Sequence, residues 1–438
     1  MKGEFGALGI MRAVILAAGE GARLMPLTEH RPKHMIPIAG RPIIQHLIET
    51  FRHHGVRRFT VVVGYLKEAI QTYLSDGSSL DVEIDYVNQA KARGTADAVA
   101  QLQDRIEEPR FILCYGDIYA SRDAAAELVR AYNDQSIQAA LAVVRVKDQD
   151  QYGQVTVENG YVKAIVEKPK RFSSGSFANA GIYLFERIIF DGIRLTARSP
   201  RGELELTDSI ANLIRSGVKI KPITLNQKDW LDLGRPWDLL EANEMALQTL
   251  QSERHGDVES GAVLLDPVTV RPGAKILSGA RIEGPAYIGE GSVVGPNCYI
   301  RPYTSIGKHA RVGNGCEIKN SIIMDHTKIP HQSYFGDSIV GERCNFGAGT
   351  ITGNLRLDEK SIQMKIKNAT VDSGRRKLGA IIGDRVSTGI NVNFMPGVKI
   401  GSGTLIGPGI TVYSDLPSNV KVLLRQTTAM KRIKTHQA

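Results

Sequence analysis

Val258, Leu264, Val270, Ile276, Ile282, Ile288, Val294, Ile300, Ile306, Val312, Ile318 and Met324 stand every sixth residue without a miss. Helices repeat at 3.6 residues and strands at 2, so neither explains a period of six. Aliphatic residues fill roughly a quarter of an ordinary chain, and twelve in phase by accident is far below about one in a million. Two residues before most of them sits a small one: Ala274, Ala280, Ala286, Ser292, Cys298, Thr304, Ala310 and Cys316. Glycine follows several, at Gly289, Gly295, Gly307 and Gly313. These columns predict a parallel β-helix of hexapeptide repeats, with the aliphatic and small side chains turned inward and glycine at the corners. After Met324 the sixth positions are Pro330 and Gly336, and the pattern fails. It resumes at Val340, Phe346 and Thr352, lapses again, and returns as Ile382, Thr388, Phe394, Ile400, Ile406 and Val412. The lapses, 325–339 and 353–381, read as loops or working parts.

At 438 residues the chain has length for two domains or more. Its 42% apolar and 23% charged residues are those of a soluble globular protein. No apolar run approaches ~18 residues, which excludes a transmembrane helix, and residues 1–10 read as a leader before Met11 without signal-peptide character. The expected location is cytoplasmic. Of the four cysteines, Cys298, Cys316 and Cys344 fall in the small-residue column, which is a packing role, and none has metal-ligand spacing. A net charge of +9 suits small anionic ligands. The basic residues are scattered, without an aromatic-interleaved stripe, so neither nucleic acid nor membrane is expected as a partner.

Near the start, a buried-type strand from Arg12 opens into Gly19-Glu-Gly21-Ala-Arg23, a turn whose backbone N–H groups can approach a phosphate chain. Arg31-Pro32-Lys33 adds fixed positive charge. Residues 43–51 read as a helix and 59–64 as a second buried strand, which together predict an α/β domain with a mostly parallel sheet.

The run LAAGEGARLMPLTEHRPKHMIPIAGRPII resembles the signature of the sugar-1-phosphate nucleotidyltransferases. Gln89 with Gly94-Thr95-Ala96, Tyr115-Gly116-Asp117, Gly153, Glu167-Lys168-Pro169, Asn179-Ala-Gly181 and Trp230-Leu-Asp232-Leu-Gly234 agree in order. Ala22 departs, standing where threonine is commoner. The resemblance implies a Rossmann-like first domain. Its reaction would be attack of a sugar-1-phosphate oxygen on the α-phosphorus of a nucleoside triphosphate, with pyrophosphate leaving. It implies that Leu16, Ala17, Ala18, Gly19 and Arg23 cradle the phosphates and that Lys33 stabilises charge at the reacting groups. Asp117 and Asp232 would hold Mg²⁺, a hard ion suited to oxygen ligands. Gln89, Gly94, Thr95, Tyr115 and Gly116 would contact the nucleotide, and Gly153, Glu167 and Asn179 the sugar. Trp230 and Trp237 read as core.

The stretch from Pro236 to about Arg254 has helix-forming composition. The boundaries drawn are 11–245 for the transferase domain, 246–257 for the end of a helical linker, 258–424 for the β-helix and 425–438 for a basic tail. The second half could be an acyltransferase, a trimerisation stalk only, or part of a non-catalytic regulatory chain; intact first-half motifs argue against the last. Pro330–Asp337, Asn345–Asn354 and Lys360, with Arg301-Pro302, Glu317 and Lys319 upstream, resemble the acetyltransferase half of the bifunctional bacterial enzymes that make UDP-N-acetylglucosamine, and their archaeal counterparts. The resemblance implies a left-handed β-helix, a homotrimer with sites between subunits, and acetyl-CoA as co-substrate. His331 is the candidate general base, since an imidazole suits removal of the attacking amine's proton. Arg301, Lys319, Tyr334 and Lys360 would bind the sugar phosphate, and Asn345 and Asn354 would orient the sugar, the acetyl group or the oxyanion. His326 has no such company and reads as exposed. Residues 361–372 alternate in a hairpin-like way that is closer to the archaeal group. UTP against dTTP, and glucosamine- against galactosamine-1-phosphate, stay open at this level.

Overall fold

The computed structural model describes residues 11–146, 151–169 and 175–432; the leader reading for residues 1–10 lies outside them. The chain divides into two compact units, Met1–Ala246 and Leu247–Ala438.

In the first unit Arg12–Ala17, apolar from Ala13 on, forms the strand that the α/β pattern predicts. It pairs in parallel with Arg58–Val63 on one side and Arg110–Tyr115 on the other. Glu83–Asn88 extends this parallel core beyond Arg58–Val63. Phe177–Glu186 joins antiparallel to Arg110–Tyr115 and carries the rest of a nine-stranded Rossmann-like sheet. Helices Ile43–His53 and Arg122–Asn133 bury one face, among Ile44, Leu47, Ile48, Phe51, Leu128 and Tyr132. Leu206–Arg215 buries Leu206, Ile210 and Leu213 in a second cluster. Both tryptophans are core, and the Trp230 indole N–H donates to the Ala180 carbonyl at 2.7 Å.

The second unit is a left-handed parallel β-helix. Val268–Val270 pairs with Ala286–Ile288 and that with Thr304–Ile306, each partner 18 residues on, and two further ladders make the other walls. From Val270 to Met324 every member of the six-residue column is 0–1% exposed. Burial of each such side chain contributes ~1.5–3 kcal/mol, which is why this part of the column is apolar throughout. Val258 and Leu264, at the end of the stack, are covered less. The four cysteines are free and buried, and three of them fill the small column.

Three expectations change. The first lapse is no loop: Ile306 pairs with Ile323, Ile318 with Phe335 and Ile323 with Val340, each 17 residues on. Single-residue shortenings at the corners shift the phase while the coil continues. The second lapse is real, because Val340 meets Ile382 across an excursion. Within it Gln363–Ile366 and Ala369–Asp372 form the expected antiparallel hairpin. It folds down on its coil through buried Ile362, Met364 and Ile366. At the joint, the helix Pro236–Gln248 ends short of Arg254, and Glu253–Arg254 already pairs with Thr269–Val270. The stack therefore begins before Val258, on a strand too short and too exposed to show in a hydrophobic column. His326 is also not simply exposed: it is partly buried and its ring stacks on that of His309 at 5.2 Å.

Candidate active sites

In the first unit the turn after Arg12–Ala17 is held by its backbone. Leu16 carbonyl accepts from Gly116 N–H at 2.9 Å and Ala18 carbonyl from Tyr65 N–H at 3.2 Å. Gly21 adopts φ +70, and a Cβ there would lie 2.9 Å from Lys33 Cβ. The turn thus wraps the Lys33 stem, and the ammonium comes to rest beside Gly19 and in a salt bridge with Asp117. Asp232 is brought to Asp117 by the ladder Trp230–Asp232 against Ile118–Ala120, with Leu233 N–H donating to Asp117 carbonyl at 2.8 Å. Arg23 reaches the same place: a Cβ on Gly234 would lie 2.8 Å from both Arg23 Nη2 and Asp232 Oδ2. Arg23, Lys33, Asp117 and Asp232, about 200 residues apart at the extremes, form one constellation at the carboxyl ends of the parallel strands, where open α/β sheets place their ligands.

The electrostatics divide the two carboxyls. Burial pushes Asp117 up, but Lys33, His34 and Arg23 outweigh it and hold it down at about 2. Asp232 is pushed up to about 6 by burial and then by the charge of Asp117, against Arg23 and Lys33. A pair of oxygen donors in which one charge raises the proton affinity of the other fits a divalent cation, which takes the place of that proton. Among the described residues no cluster of three or more His, Cys, Asp and Glu is poised for a metal. One or two carboxylates completed by substrate phosphates is the usual arrangement for Mg²⁺. His34, given no role from the sequence, is buried against Gly116 with neither ring nitrogen bonded. Burial first, then Lys33, hold its pKa down at about 3.

The folded chain with Asp232 ionised is disfavoured, which gives a stability test. Asp232→Asn is expected to raise the melting temperature of the chelator-treated protein by about 3–6 °C at pH 8. The sign follows from a folded pKa above the unfolded one. The penalty is absent near pH 4, grows as pH rises, and is complete above about 6. A calorimetric difference that does not shrink between pH 8 and pH 4 would contradict the assignment.

Beside this constellation lie the residues expected to contact nucleotide and sugar. Gln89 Nε2 donates to Gly94 carbonyl at 3.1 Å and to Asp97 at 2.8 Å, so its Oε1 is left to accept. Gly94 takes φ +116, and a Cβ there would lie 2.4 Å from Leu204 carbonyl oxygen, a contact only glycine permits. Thr95 Oγ1 accepts from Leu206 N–H. Tyr115, Tyr183 and Asn179 form a buried chain, with Tyr183 Oη donating to Tyr115 Oη at 3.1 Å and Asn179 Nδ2 to Tyr183 Oη at 2.7 Å. Asn179 N–H donates to Gly153 carbonyl, and a Cβ on Gly153 would lie 3.2 Å from Glu167 Oε2. Gly153, Glu167 and Asn179, distant in sequence, therefore lie together. Arg201, which the motifs missed, bonds both Glu167 at 3.3 Å and Glu205 at 2.7 Å. Its signal was a charged ELE-type run that alone is indistinguishable from a solvated surface.

In the second unit the residues fall into two sets. Arg301 pairs with Glu317 at 2.8 Å. Lys319 bonds Asp337 at 3.1 Å, and Asn354 Nδ2 donates to Asp337 at 2.6 Å and to Tyr334 Oη at 3.2 Å. Lys319, Tyr334 and Asn354 are thus gathered around Asp337, a residue sequence reasoning passed over. His331, Asn345 and Lys360 are exposed, and among the described residues no hydrogen bond ties their side chains to that cluster. His331 ends the strand Lys328–His331, opposite Asn314, so it stands on a wall of the helix and not in a loop.

Comparison with known proteins agrees with both halves. A family model described as nucleotidyl transferase matches residues 12–249, and one described as the GMPPB C-terminal domain matches 282–389. The "Bifunctional protein GlmU" of Methanocaldococcus jannaschii is 44% identical over 426 residues, covering 97% of this chain and 100% of that protein. The "Bifunctional sugar-1-phosphate nucleotidylyltransferase/acetyltransferase" of Sulfurisphaera tokodaii is 40% identical, covering 93% of this chain and 98% of that one. A Bacillus anthracis structure described as a glucose-1-phosphate thymidylyltransferase, solved with a sucrose, is 28% identical with a TM-score of 0.50, over 56% of this chain and 98% of that one.

Proposed function

The chain belongs to the nucleotidyl transferase family and, over its whole length, to the archaeal bifunctional sugar-1-phosphate nucleotidylyltransferase/acetyltransferases, and from that premise we propose which residues perform each transfer. The acetyl group of acetyl-CoA passes to the amine of glucosamine-1-phosphate or galactosamine-1-phosphate. A sugar-1-phosphate, N-acetylglucosamine-1-phosphate or glucose-1-phosphate, then takes a nucleotidyl group from UTP or dTTP, which makes UDP-N-acetylglucosamine in the principal case.

The nucleotidyl half rests on the constellation of Arg23, Lys33, Asp117 and Asp232. The sugar phosphate oxygen forms a bond to the α-phosphorus while the bond to the bridging oxygen breaks and pyrophosphate departs. Such transfer depends on positioning and on neutralising spread negative charge. Asp117 and Asp232 would hold Mg²⁺, which when bound supplies that neutralisation along the triphosphate. Lys33 and Arg23 place fixed charge at the reacting phosphates, with the Leu16–Gly19 backbone beside them. Gln89 Oε1, whose amide nitrogen is already committed, accepts from the ring N–H of uracil or thymine. Gly153, Glu167 and Asn179 hold the sugar.

For the acetyl half, His331 takes the proton of the attacking amine, the C–N bond forms at the thioester carbonyl, and the coenzyme A thiol leaves. Arg301, Lys319, Tyr334 and Lys360 bind the sugar phosphate. A homotrimer, in which neighbouring copies complete each site, accounts for catalytic candidates that lie exposed in one chain. One observation favours this over a trimerisation stalk: a stalk has no need of a buried carboxylate with Lys319, Asn320 and Asn354 converging on it.

With glucosamine-1-phosphate, acetyl-CoA, Mg²⁺ and each triphosphate in turn, free thiol and pyrophosphate should both appear, followed separately. Pyrophosphate without thiol would leave only the single-activity reading. No helix of the described residues is long and apolar enough to cross a membrane, and we place the enzyme in the cytoplasm with its small soluble substrates.

A further inference from the structure

Asp337 is 2% exposed and sits in the left-handed region at φ +51, locked between coils. Its N–H donates to Lys319 carbonyl at 2.9 Å and its carbonyl accepts from Gly379 N–H at 2.8 Å. Its carboxylate accepts from Lys319 Nζ at 3.1 Å, Asn320 Nδ2 at 2.8 Å and Asn354 Nδ2 at 2.6 Å. Phe335 before it and Ile339 and Val340 after it are fully buried apolar side chains. A charge in such a place is costly unless fully satisfied, and here three donors satisfy it.

The consequence lies in Asn354. Its amide has two N–H bonds to give, and both are spent, one on Asp337 and one on Tyr334 Oη. The only polar side-chain atom of Asn354 left for a substrate is Oδ1, an acceptor. Tyr334, having accepted from Asn354, keeps its own hydroxyl proton to donate. Burial, and then the charge of Asp337, push that hydroxyl's pKa up and hold it protonated.

We propose that Asp337 is the positioning residue of the acetyl-transfer site. It fixes the Asn354 amide so that this side chain meets the amine or a hydroxyl of the amino sugar as an acceptor, and it holds Lys319 for the phosphate. Asn354 is thereby excluded as a donor to the oxyanion, one of the three roles open to it from its sequence alone. The inference rests on the acetyl-transfer reading of this site.

The test compares D337N, N354D and the double variant D337N/N354D with the parent, using glucosamine-1-phosphate and acetyl-CoA with thiol release as the readout. D337N is expected to lower kcat/KM for the amino sugar at least ~100-fold. Most of the change falls on that substrate, and KM for acetyl-CoA stays within about twofold. N354D sets two carboxylates against each other and loses a similar amount. The double variant restores a donor at 337 and an acceptor at 354, and regains at least ~10-fold over N354D. A purely structural Asp337 would raise both KM values alike and show no rescue. D337N within threefold of the parent, or a double variant no better than N354D, overturns the inference. Should D337N fail to fold, the double variant against N354D decides alone. A parent protein that releases no thiol with either amino-sugar phosphate overturns the acetyl-transfer reading itself, and this inference with it.

Discussion

Lys33→Ala is expected to lower pyrophosphate release at least ~100-fold, and Asp117→Ala to do the same. The size follows from what each side chain faces. Lys33 is threaded through the turn, with its stem against Gly21 and its ammonium beside Gly19 and Asp117. Its charge is therefore preorganised where the triphosphate is proposed to bind, and no reorganisation would be needed as negative charge spreads over the leaving group. Arg23 lies against Gly234 and Asp232, on a different side of the constellation from Gly19 and Gly21. Asp117→Ala removes a carboxylate held down at about 2 and strands the lysine it pairs with. Both variants should keep acetyl transfer, because the second unit has its own core. Near-normal pyrophosphate release from either would remove these residues from the reaction.

The architecture was legible because a β-helix writes its period into the chain. Every coil must present aliphatic residues at the same positions, so Val270 to Met324 could be read as buried before any fold was in hand. The same counting misread 325–339. A corner that drops one residue leaves the walls stacked and throws the count out of phase, and Ile323, Ile329 and Phe335 carry the column on unseen. The joint was misplaced for a related reason: Glu253–Arg254 pairs with Thr269–Val270 while both its side chains are exposed and charged, so it adds nothing to a hydrophobic column. At the sites, motif residues were recognisable where a family resemblance supplied their order. The supporting residues were not. Asp337, Arg201 and His34 act through neighbours that are close only in the folded chain, and a carboxylate, a guanidinium or an imidazole in a polar run carries no sign of whether it is buried or solvated.

His331→Ala is expected to lower acetyl transfer ~10²–10⁴-fold, the range a general base contributes. The site gives this variant unusual clarity. His331 is exposed at the end of its strand, and its backbone stays paired opposite Asn314 whatever the side chain. An exposed substitution of this kind changes stability by about 0.5 kcal/mol or less. Loss of activity therefore reports chemistry and not folding, and the variant should match the parent as a trimer in light scattering. Its pyrophosphate release should be unchanged. Among the described residues no hydrogen bond ties His331 to the Lys319–Tyr334–Asn354 cluster, and the proposed trimer would account for that. His331 and Tyr334 stand on separate walls of one chain, and in the proposed trimer a neighbouring copy would bring base and sugar-phosphate ligands to a common substrate. If His331→Ala keeps acetyl transfer within a few fold, the base lies elsewhere. If both activities fall together, the residue serves assembly. A parent protein that is a monodisperse monomer and yet transfers acetyl groups would refute the shared site.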